Sequence, residues 1–301
     1  MRTQTTRLTI STALIISGVI FLAACKKDSN SSSGNTTNSG AQTMTTNGAT
    51  SDGAYNDVLN VALQTGSDQN IDAVMTQQKN GKQTNSVRTV NGINGFYCAN
   101  VTLLTTTGSF PDTLIVDFGS GCTSSGDGIA RSGSVTYIFS GKLSTPGTVI
   151  SASFNNYTVE GYQLGGKYKL TNSTTGSSLS LTSAVVNGTI TYPNDSSYSF
   201  SGSKTVTLAS GSLTDISTFV FNITGGYTIA NDHTGETLTA TVTTPLEKKE
   251  SCKYVDAGVA AFVYTKGSLT VDGTLNYGDG TCDNSAVITI GTATKTVTLP
   301  W

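Results

Sequence analysis

From about Arg88 onward, apolar residues recur at every second position. Tyr198, Phe200, Gly202, Lys204, Val206 and Leu208 alternate with Ser199, Ser201, Ser203, Thr205 and Thr207. Leu238, Ala240 and Val242 alternate with Thr237, Thr239, Thr241 and Thr243. A period of two is the mark of a strand with one buried face, here with a hydroxyl-lined face toward water. The same pattern runs through Val135/Tyr137/Phe139, Ile150/Ala152/Phe154, Leu179/Leu181/Val185, Phe219/Phe221/Ile223 and Val297/Leu299/Trp301. Turn clusters such as Pro193-Asn194-Asp195, Asn231 to Gly235 and Gly278-Asp279-Gly280 separate the runs. Short connections of this kind imply antiparallel hairpins, and no ten-residue helical pattern intervenes to suggest βαβ units. Ahead of the strands, Tyr55, Val58, Leu59, Ala62 and Leu63 follow the i, i+3, i+4, i+7, i+8 spacing of a helix. Ser51 or Asp52 are its N-cap candidates and Gly66 its stop, which predicts a helix over about 52–64. A shorter helical pattern covers Ile71 to Gln78. The expected fold is mainly β: a large twisted antiparallel sheet, either a sandwich or a bent half-barrel, with one short N-terminal helix packed on it. It is expected to form a single domain over residues 51–301.

The N-terminus carries a different pattern. Arg2 and Arg7 precede an apolar run from Ala13 to Phe21, broken by Ser17 and Gly18, and Leu22-Ala23-Ala24-Cys25 closes it. This is the layout of a bacterial secretory signal ending in a lipobox, and the run is too short for a permanent membrane span. Residues 1–24 are therefore expected to be a signal peptide, with Cys25 lipidated and acting as the membrane anchor. Residues 25–50 follow with little to bury; a flexible tether of that composition spans about 25 to 30 Å. The expected location is the cell envelope, as an outer-membrane lipoprotein that is periplasmic or surface-exposed.

Composition agrees with export. Only 12% of the 301 residues are charged, and 33 are glycine. Removing Arg2 and Arg7 leaves 15 basic against 19 acidic residues, a formal charge near −4 (15 − 19), which offers nothing to nucleic acid. Beyond Cys25, four cysteines remain, an even number that favours disulfides in an exported chain. Val116-Asp117-Phe118-Gly119-Ser120-Gly121-Cys122 resembles Leu275-Asn276-Tyr277-Gly278-Asp279-Gly280-Thr281-Cys282, and each follows a cysteine opening an earlier strand. Of three possible pairings, the echo favours Cys98 with Cys122 and Cys252 with Cys282, a stapled hairpin used twice. Loops of this length would each stabilise by about 3 to 4 kcal/mol in the chain-entropy account.

The same segments carry a family likeness. The chain resembles uncharacterised Bacteroidota lipoproteins that share a Cys-Lys-Lys-Asp start, here Cys25 to Asp28, and a D-F-G-x-G-C segment, here Asp117 to Cys122. They also share an R-S-G turn, here Arg131-Ser132-Gly133, and a Y-G-D-G-T-C-D-N ending, here Tyr277 to Asn284. Pro146 to Ile150 and Phe154 to Tyr157 belong to the likeness, which spans most of residues 90–300. Asn155 replaces a usual aspartate, and Lys253-Tyr254 replace a usual Arg-Trp. The resemblance implies an exported β lipoprotein and supplies no activity. Asp112-Thr113-Leu114 also resembles an O-glycosylation site of the same bacteria.

Candidate chemistry is sparse. The one histidine, His233, falls in a polar turn, and no G-x-S-x-G elbow exists. Disulfide-paired cysteines leave neither a thiol nucleophile nor a zinc site. Asp117, Glu160, Asp215, Glu236, Asp256 and Asp272 could supply a glycosidase pair, although sequence places no two of them together. Asp279 and Asp283 offer hard oxygens to calcium in a Gly-rich turn, without EF-hand spacing. The 119–128 loop lacks the Gly-Lys-Ser/Thr of a phosphate cradle, so no cofactor is expected. The C-terminal alternation ending in Trp301 resembles the last strand of an outer-membrane barrel, but Pro300 and the hydroxyl-lined faces argue against spanning. The leading expectation is a non-enzymatic binding or scaffold protein held to the membrane by lipid. Its partner would be a glycan or a protein, met through tyrosines such as Tyr157, Tyr162, Tyr168 and Tyr192. The alternatives are a carrier of an apolar small molecule in a bent sheet and a carbohydrate-active hydrolase.

Overall fold

The computed structural model describes residues 32–66, 86–90, 98–105, 110–212 and 215–299. Within these residues one helix, α1 (Ser32–Gly66), precedes one antiparallel sheet. Its first five strands are β1 (Ser86–Val90), β2 (Asn100–Thr105), β3 (Asp112–Asp117), the two-residue β4 (Cys122–Thr123) and β5 (Ala130–Phe139). The long central strands follow: β6 (Val149–Val159), β7 (Tyr162–Asn172), β8 (Ser180–Thr191), β9 (Ser197–Ser212) and β10 (Asp215–Asn231). The sheet ends with β11 (Glu236–Lys249), β12 (Ala257–Lys266), β13 (Leu269–Asp279), β14 (Ser285–Ile290) and β15 (Ala293–Thr298). Every strand pairs with its neighbours in sequence, except that β3 passes over β4 to pair with β5. The sheet is an open meander rather than a sandwich. Alternation sets its faces: Val135, Tyr137 and Phe139 are buried on β5, as are Phe219, Phe221 and Ile223 on β10.

The helix lies on the buried face, and the sheet curls about it. Along α1, Gly40 approaches Tyr264 of β12, Gly48 approaches Tyr227 of β10, and Tyr55 reaches β7 and β8. Near its end, Asp57 and Val58 meet β5 through Arg131 and Tyr137. The curl is tight enough for Glu160, in the β6–β7 turn, to pair with Lys253, between β11 and β12, at 3.4 Å. A bent half-barrel closed on its inner side by a helix is the architecture.

Two expectations about the N-terminal region need correction. The helix runs over 35 residues, Ser32 to Gly66, rather than about 52–64. The stretch read as a flexible tether, 25–50, is helical from Ser32, and its Ala41, Met44, Thr45, Ala49 and Thr50 are buried. Ser51 and Asp52 are helix-interior residues rather than N-caps. The physical reason lies in how small polar residues are used. Thr43, Thr45, Thr46 and Ser51 each donate a side-chain hydrogen bond to the carbonyl four residues back. Their hydroxyls are thereby satisfied inside the helix. Gly40, Gly48 and Gly53 cost about 1 kcal/mol each against alanine. Burying Met44, Tyr55, Val58 and Leu59 returns about 1.5–3 kcal/mol each. At Gly48 the space is used directly, since a Cβ there would lie 2.7 Å from the Tyr227 ring. The helix stop at Gly66 agrees with the sequence.

Both disulfides form as the internal echo suggests. Cys98–Cys122 joins the two ends of the β2–β3 hairpin, and Cys252–Cys282 joins the corresponding ends of β12–β13. The Arg131-Ser132-Gly133 segment, read as a turn, is instead a bulge within β5, where Gly133 at φ 68° opposes β6. A Cβ at Gly133 would sit 2.2 Å from the Asn156 carbonyl oxygen, so only glycine fits. Cys25, residues 1–24, the 71–78 helix pattern, Pro300 and Trp301 lie outside the described residues.

Candidate functional site

Among the described residues, the inward-facing basic side chains Arg131 on β5, Lys204 on β9 and Lys248 on β11 define the polar chemistry beneath the sheet. Arg131 is fully buried, and its guanidinium binds Asp57 of the helix through both Nε, at 2.9 Å, and Nη2. Asp127 takes the remaining edge, with Nη1 at 3.2 Å and Nη2 at 2.6 Å. Tyr157 donates to Asp57 Oδ2 at 2.6 Å, and the Phe118 ring lies 5.7 Å from the guanidinium carbon. Burial works against the Arg131 charge, but Asp57 and Asp127 outweigh it and hold its pKa above the ordinary value. Burial, reinforced by the Asp57 charge, pushes the Tyr157 phenol well up. Lys204 makes a similar pair five residues earlier on the helix, with Asp52. There burial dominates the lysine's attraction and raises the Asp52 carboxyl.

Lys248 breaks the pattern. It follows buried Leu246 by two residues on the inner face, and its ammonium donates to the backbone carbonyls of Lys249, at 2.8 Å, and Cys252. Among the described residues no carboxylate lies within ion-pair distance of it. Burial lowers its pKa, against the opposing pull of Glu250, Asp256 and Asp127. Beside it is a partly open cleft of about 50 Å³ between the helix and the curled sheet. Leu59, Leu63, Phe221, Ile223 and Val255 form its apolar walls, and Asn56, Asn60, Lys248 and Lys253 its polar side.

A second feature stands where the β6–β7 and β8–β9 turns meet the helix. Tyr162, Tyr192 and Tyr198 pack edge to face, with centroids 4.9 Å and 5.1 Å apart. Tyr192 donates to the Asn47 carbonyl at 2.7 Å and lies 3.0 Å from Ser51 Oγ, while Asn47 Nδ2 donates to Tyr198 at 2.8 Å. All three rings are part-exposed, and the adjoining Pro193, Asn194 and Asp195 are exposed. Burial raises each phenol's pKa, with Glu160 adding to the effect at Tyr162.

The residues singled out from sequence separate into distinct settings. Tyr157 and Tyr168 are buried, whereas Tyr162 and Tyr192 reach the surface cluster. His233 is exposed in the β10–β11 turn. Four of the six candidate carboxylates have separate partners. Asp117 accepts from Gly119 N, Glu160 from Lys253, Glu236 from Tyr264 and Lys266, and Asp256 from Lys249. Asp272 lies within β13, and Asp215 opens β10. Asp279 accepts from Thr281 and Asp283 from Ser285, each as a turn cap. Among the described residues no group of three or more His, Cys, Asp or Glu side chains is placed to hold a metal ion. Thr113 is half-buried within β3, between Leu104 and Ile138 of the flanking strands. Asp57, Asp127, Lys248 and Tyr198 escaped the sequence reading. The signal for Lys248 was present, because a lysine two residues beyond a core leucine on a strand occupies an inward position. Among the described residues no helix is long and apolar enough to cross a membrane. Comparison with protein-family models, curated proteins and solved structures finds no match to the chain.

Proposed function

We propose that this chain is a lipid-anchored envelope lipoprotein that binds a glycan through the Tyr162–Tyr192–Tyr198 cluster, without catalysing a reaction. The observation that carries the reading is the cluster's construction. Two of its three hydroxyls are tied to the helix through Asn47 and Ser51, so the rings are held in place while part of their surface stays open. Rigid, partly exposed aromatic faces beside polar turn groups suit a sugar, which offers C–H faces and hydroxyls together. Holding the rings before the ligand arrives also lowers the ordering cost of binding. The alternative of a carrier is less well supported, since α1 lies along the inner face and the cleft beside it, of about 50 Å³, is far smaller than a lipid chain. A hydrolase is less well supported because Asp117, Glu160, Glu236 and Asp256 each have a separate partner.

Lipidation at Cys25 adds a constraint. Only seven residue steps (32 − 25) separate Cys25 from the start of the helix, a reach of at most about 25 Å. Such a linkage holds the sheet close to the membrane. A glycan array followed by NMR titration tests the binding reading. Retention of a glycan that weakens at least about tenfold in Tyr162→Ala and Tyr198→Ala supports it. A survey with no retained glycan, or binding indifferent to both variants, overturns it. Mass spectrometry of the native protein tests the anchor: an acylated N-terminal Cys25 is expected, and an unmodified amino terminus upstream of it contradicts the reading.

A further inference from the structure

Among the described residues Arg131, Lys204 and Lys248 are basic groups on the inner face, and the helix contacts the first two with an acid. Arg131 has Asp57 and Lys204 has Asp52. At Lys248 the helix instead presents the side amides of Asn56 and Asn60 along the cleft. Lys248 is part-buried, and a cation drawn out of water without a carboxylate in direct contact is costly. Here there is room for such a carboxylate. Lys253 also lines the cleft, already neutralised by Glu160, and Asp57 is neutralised by Arg131; Glu250, Asp256 and Asp127 act on Lys248 from beyond ion-pair distance, so no carboxylate among the described residues touches its ammonium. Its ammonium makes two hydrogen bonds to carbonyls, and an ammonium has three hydrogens to give.

From this arrangement we infer that the cleft is a binding site for a small organic anion, a short-chain monocarboxylate whose carboxylate meets Lys248 and the Asn56 and Asn60 amides. Its hydrocarbon end lies against Leu59, Leu63 and Phe221. Size sets the class. A water needs roughly 10–15 Å³ of such space, so about 50 Å³ with one side open admits a chain of a few carbons and excludes a fatty acid. The amides fit a carboxylate because each offers N–H donors and neither adds negative charge. This site lies farther along the helix than the tyrosine cluster and does not depend on glycan binding.

The test uses the full chain and butyrate, with n-butanol as its uncharged counterpart, followed by NMR. Butyrate is expected to bind saturably with a Kd on the order of 1 mM. Its shift changes should map to Leu59, Leu63, Phe221 and Lys248, and n-butanol should bind at least about tenfold more weakly. Lys248→Met should lose butyrate binding by a similar factor. The mapping and the butanol comparison use the unaltered protein, so they decide the matter even if that variant folds poorly. Absence of saturable binding, equal affinity for butyrate and butanol, shifts confined to other residues, or wild-type binding by a folded Lys248→Met would each overturn the inference.

Discussion

Replacing Asp57 with alanine removes more than one contact. The carboxylate accepts from Arg131 Nε and Nη2 and from the Tyr157 hydroxyl, and the paired side chains are 0% and 3% exposed. Without it the buried guanidinium still has Asp127, whose side chain is 22% exposed, and a carbonyl contact to Ile129, but it has lost its buried counter-charge. Breaking a buried pair from one side costs about 3–5 kcal/mol, mostly from the stranded charge. Asp127→Ala, at the more solvated edge, should cost nearer 1 kcal/mol. Arg131→Met should resemble Asp57→Ala. The double variant Asp57→Ala with Arg131→Met should be less unstable than the sum of the singles, because neither member of the buried pair is left stranded. Urea unfolding followed by tyrosine fluorescence measures all four. A cost below about 1 kcal/mol for Asp57→Ala, or strict additivity in the double variant, would refute the claim that this pair fastens the helix to β5.

Gly133→Ala should destabilise far more than Gly119→Ala. Both sit at positive φ, but a Cβ at 133 meets Asn156 backbone at 2.2 Å, while nothing lies within 4 Å at 119; comparing urea midpoints checks this. Replacing either cysteine pair with serine should cost about 3.5 kcal/mol, from the loop entropies of 24 and 30 residues. Midpoints unchanged in either paired variant would contradict that. Alkaline stability should follow the buried phenols. Burial holds Tyr55, Tyr137, Tyr227 and Tyr277 above the ordinary value of 10.0, and burial together with Glu236 pushes Tyr264 up to about 12. Because the folded values exceed the unfolded one, their contribution is whole below pH 10 and is lost as pH rises through 12. Absorbance at about 295 nm should therefore show most phenols ionising with unfolding near or above pH 12, and gradual ionisation centred at pH 10 would contradict it.

Most of the sheet was legible from residues 130–299, where alternation of apolar and hydroxyl side chains fixes both the strands and their buried face. The cysteine pairing was legible too, because the chain repeats the same hairpin ending around Cys122 and Cys282. The helix was legible only where its apolar residues are large, from Tyr55 to Leu63. Farther upstream its packing face is built from Gly40, Ala41, Met44, Thr45, Gly48 and Ala49, whose composition matches a linker. A sheet face supplies the burial that makes such a segment helical, and that partner lies well over 100 residues away in sequence. The same separation hid the ionic network. Asp57 meets Arg131 across 74 positions and Asp52 meets Lys204 across 152, so neither pairing leaves a local mark. Tyr198 was visible as a strand residue, but its role in the tyrosine cluster depends on Asn47, 151 positions away.

The account rests on a helix, extending well upstream of residue 51, that fills the bend of the sheet. Amide hydrogen exchange over residues 41–50 tests this most directly. Protection there comparable with that of β9 and β10 is the predicted result, because Ala41, Met44, Thr45 and Ala49 are packed into the core. Exchange at the rate of an unstructured chain, with the sheet still protected, would contradict it.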